Sequence, residues 1–356
     1  METIPLARGV LAPECLPEEE LADCAETALG RDGRTLLSYG PGAGYTPLRE
    51  LIGQWFGVHP YRVVLTNSGL QGLALLANHV ARGRDVVVEY PTYDGALRLL
   101  LNSGATLLST VLDGEGMSAE NLQDQLIGDL KPAFVYTIPT FQNPSGQTMP
   151  EERRAQVVRT LARREILLVE DDPYALNRFE GEAVPAIFDY YDRRSIYMSS
   201  FSATIAPGLR VGWMILPDDE LASALTEAAA ATYITPSLLS QAVVHEFISR
   251  GSFEPNLRRV NDLLKARRDA MAAALARYLP GASWTLPEGG FFIWLELPGG
   301  MDSRQVLKRA EGVTAVAGSE FGSPAYMMRL AFSSVSPEEI EVGIQRLAVA
   351  CERTAA

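Results

Sequence analysis

The sequence predicts an α/β protein, with a large domain on a mostly parallel seven-stranded sheet and a smaller α+β domain after it. Three observations predict this. Between Arg62 and Pro217, short apolar runs rich in β-branched residues alternate with longer helical patterns, which is the signature of a parallel sheet covered on both faces. After Pro217 the pattern changes to long helical stretches followed by strands. The 356 residues also exceed the roughly 250–300 at which a single core stops growing, so two domains are expected.

In chain order, the expected strands are residues 62–68, 85–91, 105–112, 133–139, 165–172, 195–202 and 211–217, in runs such as DVVVEYP and EILLVEDD. Their period and β-branched content suit buried strands. Segments 69–82, 93–103 and 151–164 carry helical periodicity between them, and 218–232, 237–250 and 253–278 carry it beyond. Strands are then expected within 283–298, 313–318 and 326–334, with helices at 302–311 and 337–352. The Gly- and Pro-rich stretches SYGPGAGYTP and LPEGG read as loops. Residues 1–34 are expected to form an N-terminal segment that joins the small domain and covers the site, with 35–250 the large domain and 251–356 the small one.

Composition excludes several functions. Acidic residues outnumber basic ones by 44 to 31, a net charge of −13, and no Lys/Arg run supplies the footprint that nucleic acid requires. Cys15, Cys24 and Cys351 form no cluster, and His59, His79 and His245 share no metal-ligand spacing, so neither a disulfide framework nor a metal site is expected. No basic leader precedes an apolar stretch, and no window approaches the ~20 apolar residues of a membrane span. A soluble cytoplasmic protein with no membrane partner is predicted. Only three of the 31 basic residues are lysine, a bias that hints at a GC-rich bacterial genome.

Ligands of such sheets bind at the carboxyl ends of the strands, and these ends carry unusual residues. FQNPSG (141–146), EDDPY (170–174) and SFSATIAPGLRVGW (200–213) each follow an expected strand, and Ser68-Gly69-Leu70 opens a helix after the first one. Singly, Asn-Pro or Pro-Gly is a turn and an Asp pair is a cap. Their order and spacing together are far more specific. Gly40, Gly42 and Gly44 lack the strand–helix context of a dinucleotide fingerprint.

In these motifs the chain resembles fold-type I pyridoxal-phosphate (PLP) enzymes. It is most similar to class I/II aminotransferases of the subgroup that includes 2-aminoadipate and kynurenine aminotransferases and MocR-type effector domains. The resemblance runs nearly end to end, from LARG (6–9) to YMMRLAFS (326–333). It implies PLP as cofactor, an amino acid with a 2-oxo acid acceptor as substrates, and a homodimer with shared active sites. The regulator reading is disfavoured, because the chain begins directly at LARG without a DNA-binding domain.

By the same resemblance Ser68, Gly69, Leu70, Ser200, Ser202 and Arg210 bind the cofactor phosphate, aided by a helix N-terminus and a forked guanidinium. Tyr39 reaches the phosphate of the neighbouring subunit. Tyr93 stacks on the pyridine ring. Asp171 bonds the pyridinium nitrogen and keeps it protonated, while Asn143 and Tyr174 bond the ring hydroxyl oxygen. Asp172 is expected to face away. Arg329 clamps the substrate carboxylate together with Asn143, and Gly9 lets the N-terminal segment close over it. The substrate side chain is expected to meet the N-terminal segment, the 10–20 region and loops near Asn143 and Tyr233.

One departure stands out. The family pattern is approximately S-x-S-K-x-x-x-P-G-x-R, whereas this chain has Ser200, Ser202, Ala203, Pro207, Gly208 and Arg210, so alanine stands where the Schiff-base lysine belongs. That lysine binds the cofactor and moves the Cα proton, and a methyl group does neither. Lys131, Lys265 and Lys308 are not placed to replace it. Either the lysine was deliberately substituted or the natural protein lost it; retention of every other cofactor contact favours substitution. The expected parent is an aminotransferase working through a Cα carbanion, and the chain itself is expected to be inactive or impaired. The alternatives are elimination, replacement or cyclisation at Cβ or Cγ, and a lysine-less pseudoenzyme or ligand sensor.

Overall fold

The structure, a computed structural model, describes residues 3–128 and 130–355. The chain opens with a short strand β1 (Ile4–Pro5) and a helix Glu18–Leu36. Then come the strands of one large sheet: β2 (Val63–Thr66), β3 (Asp85–Tyr90), β4 (Thr106–Asp113), β5 (Gly116–Met117), β6 (Phe134–Thr137), β7 (Leu168–Asp171), β8 (Ser195–Ser200) and β9 (Gly212–Ile215). Their order is β2-β9-β8-β7-β6-β3-β4-β5. β4, β3, β6, β7 and β8 run parallel, and β9 lies antiparallel between β8 and β2.

All seven expected strands are present, and β5 adds a two-residue antiparallel edge to β4. Every residue of β2, β6 and β9 is buried, so these strands read as unbroken apolar runs instead of alternating ones. Parallel pairing puts Tyr90, Thr137, Asp171 and Ser200 at one edge of the sheet, each closing its strand.

A second, antiparallel sheet contains β10 (Ser283–Trp284), β11 (Phe292–Glu296), β13 (Val316–Ala317) and β14 (Met327–Ala331). β1 pairs in parallel with β12 (Val313–Thr314), and Ile4, Leu6 and Leu11 join the apolar cluster of Phe292, Leu330 and Ile344. The helix Phe253–Tyr278 links the two bodies: Phe253 and Leu257 pack beneath the large sheet, and Val260, Leu264 and Met271 pack in the second cluster.

Among the described residues, three α-helices of seven or more residues lie outside the expected elements: Glu18–Leu36, Thr46–Trp55 and Ala119–Gln125. The first carries Leu21, Cys24, Ala25 and Ala28 at helical spacing, but it is acidic, contains Gly30 and Gly33 and buries only Cys24, Ala28 and Leu36, so its apolar face is thin. It is held through its cluster with Leu48, Trp213 and Val244. No described helix is long and apolar enough to cross a membrane.

Candidate active site

At the carboxyl edge of the large sheet, facing β11 and β14, lies a cavity of about 390 Å³, within the size range of small-molecule sites. Its sheet side is built by strand ends. Ser68 caps the helix Gly69–Leu76, its Oγ accepting from Gln71 N at 3.1 Å, and Gly69 and Leu70 follow it along the cavity wall. Gly212 lies between the ends of β2 and β8, paired with Thr66 and Ser200. A Cβ on it would come within 2.3 Å of the Ser68 carbonyl carbon and 2.4 Å of Gly69 N. Only glycine lets the helix N-terminus settle there, beside Ser200, Ser202 and Arg210. Arg210 is held in the left-handed region at φ 54°.

Asp171 ends β7 and lines the cavity. One carboxylate oxygen, Oδ2, accepts from Tyr136 Oη at 2.6 Å. Burial raises its pKa to about 6, against the lowering effect of that bond. Asp172 points away: it is 3% exposed, and its Oδ2 accepts from Tyr197 Oη at 3.1 Å.

Asn143 sits on the loop after β6, which is pinned from two sides. Buried Arg154 donates to the carbonyls of Pro139, Met149 and Pro185 and to Thr140 Oγ1. Buried Glu89 accepts from Thr137 Oγ1, Ile138 N and Gln142 Nε2. Burial lifts Glu89 to about 7, against the lowering effect of those three hydrogen bonds.

The opposite wall comes from the chain's two ends. Arg329, on β14, is 7% exposed. Nη1 donates to Asn143 Oδ1 at 2.8 Å and Nη2 to Ala7 O at 3.0 Å, while the buried Nε has no hydrogen-bond partner among the described residues. The guanidinium lies 4.3 Å from the Phe292 ring centroid and 4.8 Å from that of Phe321, a desolvated setting that lowers its pKa. Gly9 packs against Phe292 so closely that a Cβ would meet the ring at 2.5 Å.

Thirteen residues singled out from sequence therefore line one cavity: Gly9, Ser68, Gly69, Leu70, Tyr93 and Asn143, then Asp171, Tyr174, Ser200, Ser202, Ala203, Arg210 and Arg329. Tyr39 does not; it is 80% exposed. Tyr233 is also absent from the lining and packs partly buried among apolar residues under the sheet. Ala203 is 3% exposed, in the cluster with Phe291 and Phe292. None of the three lysines lines the cavity, and Lys265 pairs with Glu180 and Asp269.

Val10 falls in the region expected to meet the substrate, whereas sequence reasoning missed Leu73, Asp94, Ile138, Phe291 and Phe292 in the lining and Tyr136 behind Asp171. The double aromatic after Gly289-Gly290 was the available signal for the phenylalanines. Nothing local marks Tyr136. A groove of about 470 Å³ at the other end of the strands is lined by Arg84, Lys131, Arg164, Arg193 and Arg194 with Glu165, Asp218 and Glu220. Helices end there, where cations are ordinary.

The profile of aminotransferase class I and II matches residues 12–347. An aromatic-amino-acid aminotransferase of Thermococcus litoralis is 34% identical, over 98% of this chain and 87% of the relative. Two solved structures superpose closely. An alpha-aminoadipate aminotransferase from Thermus thermophilus, complexed with N-(5′-phosphopyridoxyl)-L-leucine, gives a TM-score of 0.94 at 32% identity, over 99% of this chain and 93% of that one. A kynurenine aminotransferase from Pyrococcus horikoshii gives 0.93 at 34%, over 99% and 91%. With motifs, cavity and comparisons in agreement, the chain belongs to the class I and II aminotransferases, a fold-type I family whose cofactor is pyridoxal 5′-phosphate.

Proposed function

We propose that this protein is the lysine-less form of an enzyme that moves the amino group of an amino acid to a 2-oxo acid, and that Ala203 leaves it able to bind cofactor and amino acid but impaired in turnover. The observation that carries this reading is one cavity with a partly buried carboxylate, Asp171, on one wall and a buried guanidinium with an unpartnered Nε, Arg329, on the other.

The residues fit the cofactor in all but its covalent anchor. The capped helix N-terminus over Gly212, with Ser200, Ser202 and Arg210 beside it, suits a phosphate. Asp171 suits a pyridinium nitrogen and Tyr93 a ring face. When bound, pyridoxal phosphate supplies the carbonyl that takes the amino group and the ring that accepts electrons from the substrate Cα. Arg329 binds the substrate carboxylate, and Asn143, tied to Arg329, orients it. Gly9 and Val10 cover that wall and exclude water. Position 203 is where the Cα proton would be moved, and alanine carries no group to hold it. Tyr39, exposed on its own subunit, is suited to complete the phosphate site of a second copy.

The test restores the lysine. Ala203→Lys and the present chain are given PLP, 2-oxo acids and a panel of amino acids, including the aromatic and 2-aminoadipate types named for the relatives. Borohydride reduction followed by intact mass should find cofactor attached only to Ala203→Lys, and only that protein should convert a 2-oxo acid to its amino acid. Loss of a Cβ or Cγ substituent with no amino group transferred would replace this reading with elimination or replacement chemistry. A restored protein that takes up PLP and turns nothing over, beside a present chain whose melting responds to an amino acid, would favour the sensor.

A further inference from the structure

The Asp171 carboxylate has one hydrogen-bond partner among the described residues. Tyr136 lies on β6 and Asp171 closes the adjacent parallel strand β7, and the phenol donates to Asp171 Oδ2 at 2.6 Å. Tyr136 is fully buried, so without Asp171 its hydroxyl would be an unsatisfied buried polar group. The other carboxylate oxygen accepts from no described residue, and Asp171 lines the cavity. Tyr136 itself is absent from the lining.

We infer that Tyr136 is a positioning residue for the cofactor: by occupying Asp171 Oδ2 it fixes the carboxylate plane, leaves Oδ1 as the single acceptor facing the cavity, and holds Asp171 ionised there. The inference rests on reading Asp171 as the partner of the ring nitrogen. Burial works against ionisation and the Tyr136 bond works for it, with Asp172 adding an unfavourable charge. Glu89 acts from β3, and Tyr93 and Tyr174 act from the cavity walls. Arg329, across the cavity, interacts with both tyrosines, and Arg98 interacts with Tyr93. A donated hydrogen bond to an ionised acceptor is among the stronger local interactions available. Tyr136 is therefore the group that tips the balance toward the carboxylate.

The test uses the present chain and PLP alone, measured as a dissociation constant by absorbance titration between pH 6 and 8.5. Tyr136→Phe should weaken PLP by about tenfold near pH 6.5 and by only about two- to threefold at pH 8.5, where Asp171 ionises without help. Asp171→Asn should weaken it by about a hundredfold, and adding Tyr136→Phe to that variant should change nothing further. Replacing Tyr136 with 3-fluorotyrosine keeps the shape and strengthens the donated bond, so the acid limb should move to lower pH; this variant decides the matter even if Tyr136→Phe folds poorly. Equal losses from Tyr136→Phe in both backgrounds, or a loss independent of pH, would overturn the inference. An Asp171→Asn protein with unchanged affinity would instead overturn the reading of Asp171.

Discussion

The sheet-side wall of the cavity draws its polar groups from Ser68 to Arg210, on successive strand ends of one sheet, whereas the facing wall joins residues 7–10 to residues 291–329. Behind the first wall lie acids that burial pushes toward the neutral form, Glu89, Glu170, Asp171 and Asp172, and of these Asp171 alone lines the cavity. The second holds one buried cation, and its Nη2 bond to Ala7 O spans 322 residues. A wall made of consecutive βα units is positioned by local alternation. A wall made from the chain's two ends exists only once the whole molecule has folded, so damage to it should fall on substrate before cofactor.

The largest test of that contrast is Arg329→Ala in the Ala203→Lys protein. Loss of a buried, forked carboxylate partner should raise KM for the amino acid about 10³-fold, with PLP affinity changed far less. Equal losses in both would mean that the two walls are not separable.

Next comes Glu89→Gln. Burial holds Glu89 up at about 7 from an ordinary 4.5, so the folded protein keeps a proton that the unfolded chain releases. Stability should therefore fall as pH rises from 4.5 to about 7 and level off above it. The variant has no such proton to lose, and its urea midpoints should vary less across that window, by the equivalent of about 3 kcal/mol. An unchanged slope would exonerate Glu89.

Gly9→Ala puts a methyl into the Phe292 ring and should cost about 1–3 kcal/mol in melting experiments, together with a severalfold rise in KM transmitted through Ala7. A normal KM at lowered stability would separate the segment from substrate binding. The smallest effect on folding is expected for Tyr39→Phe, within about 0.5 kcal/mol. Its PLP affinity should nevertheless fall at protein concentrations where the chain self-associates, and be unaffected on dilution. Equal affinity at both concentrations would remove Tyr39 from the site.

The sheet-side wall was almost entirely legible in the sequence. A strand followed by a helix puts the intervening residues at the carboxyl edge whatever the rest of the chain does, so Ser68, Asn143, Asp171 and Ser200 follow from alternation and motif order. Ala203 was legible for the same reason. The helices Glu18–Leu36 and Thr46–Trp55 were passed over although apolar residues recur at helical spacing in both, because the reading by strand–helix alternation began only at Arg62 and the second helix starts inside a Gly- and Pro-rich stretch read as a loop.

By itself, then, the sequence determined the fold class, the order of the strands along the chain and the chemical types gathered at their ends, because these depend on side-chain period and neighbouring residues. The tertiary structure alone decided that Arg329 meets both Asn143 and Ala7, that Tyr136 satisfies Asp171, and that Glu89 is held up to about 7 by burial. Those depend on the register between distant strands and on the exclusion of water from a completed interior, and neither quantity is carried by any local stretch of chain.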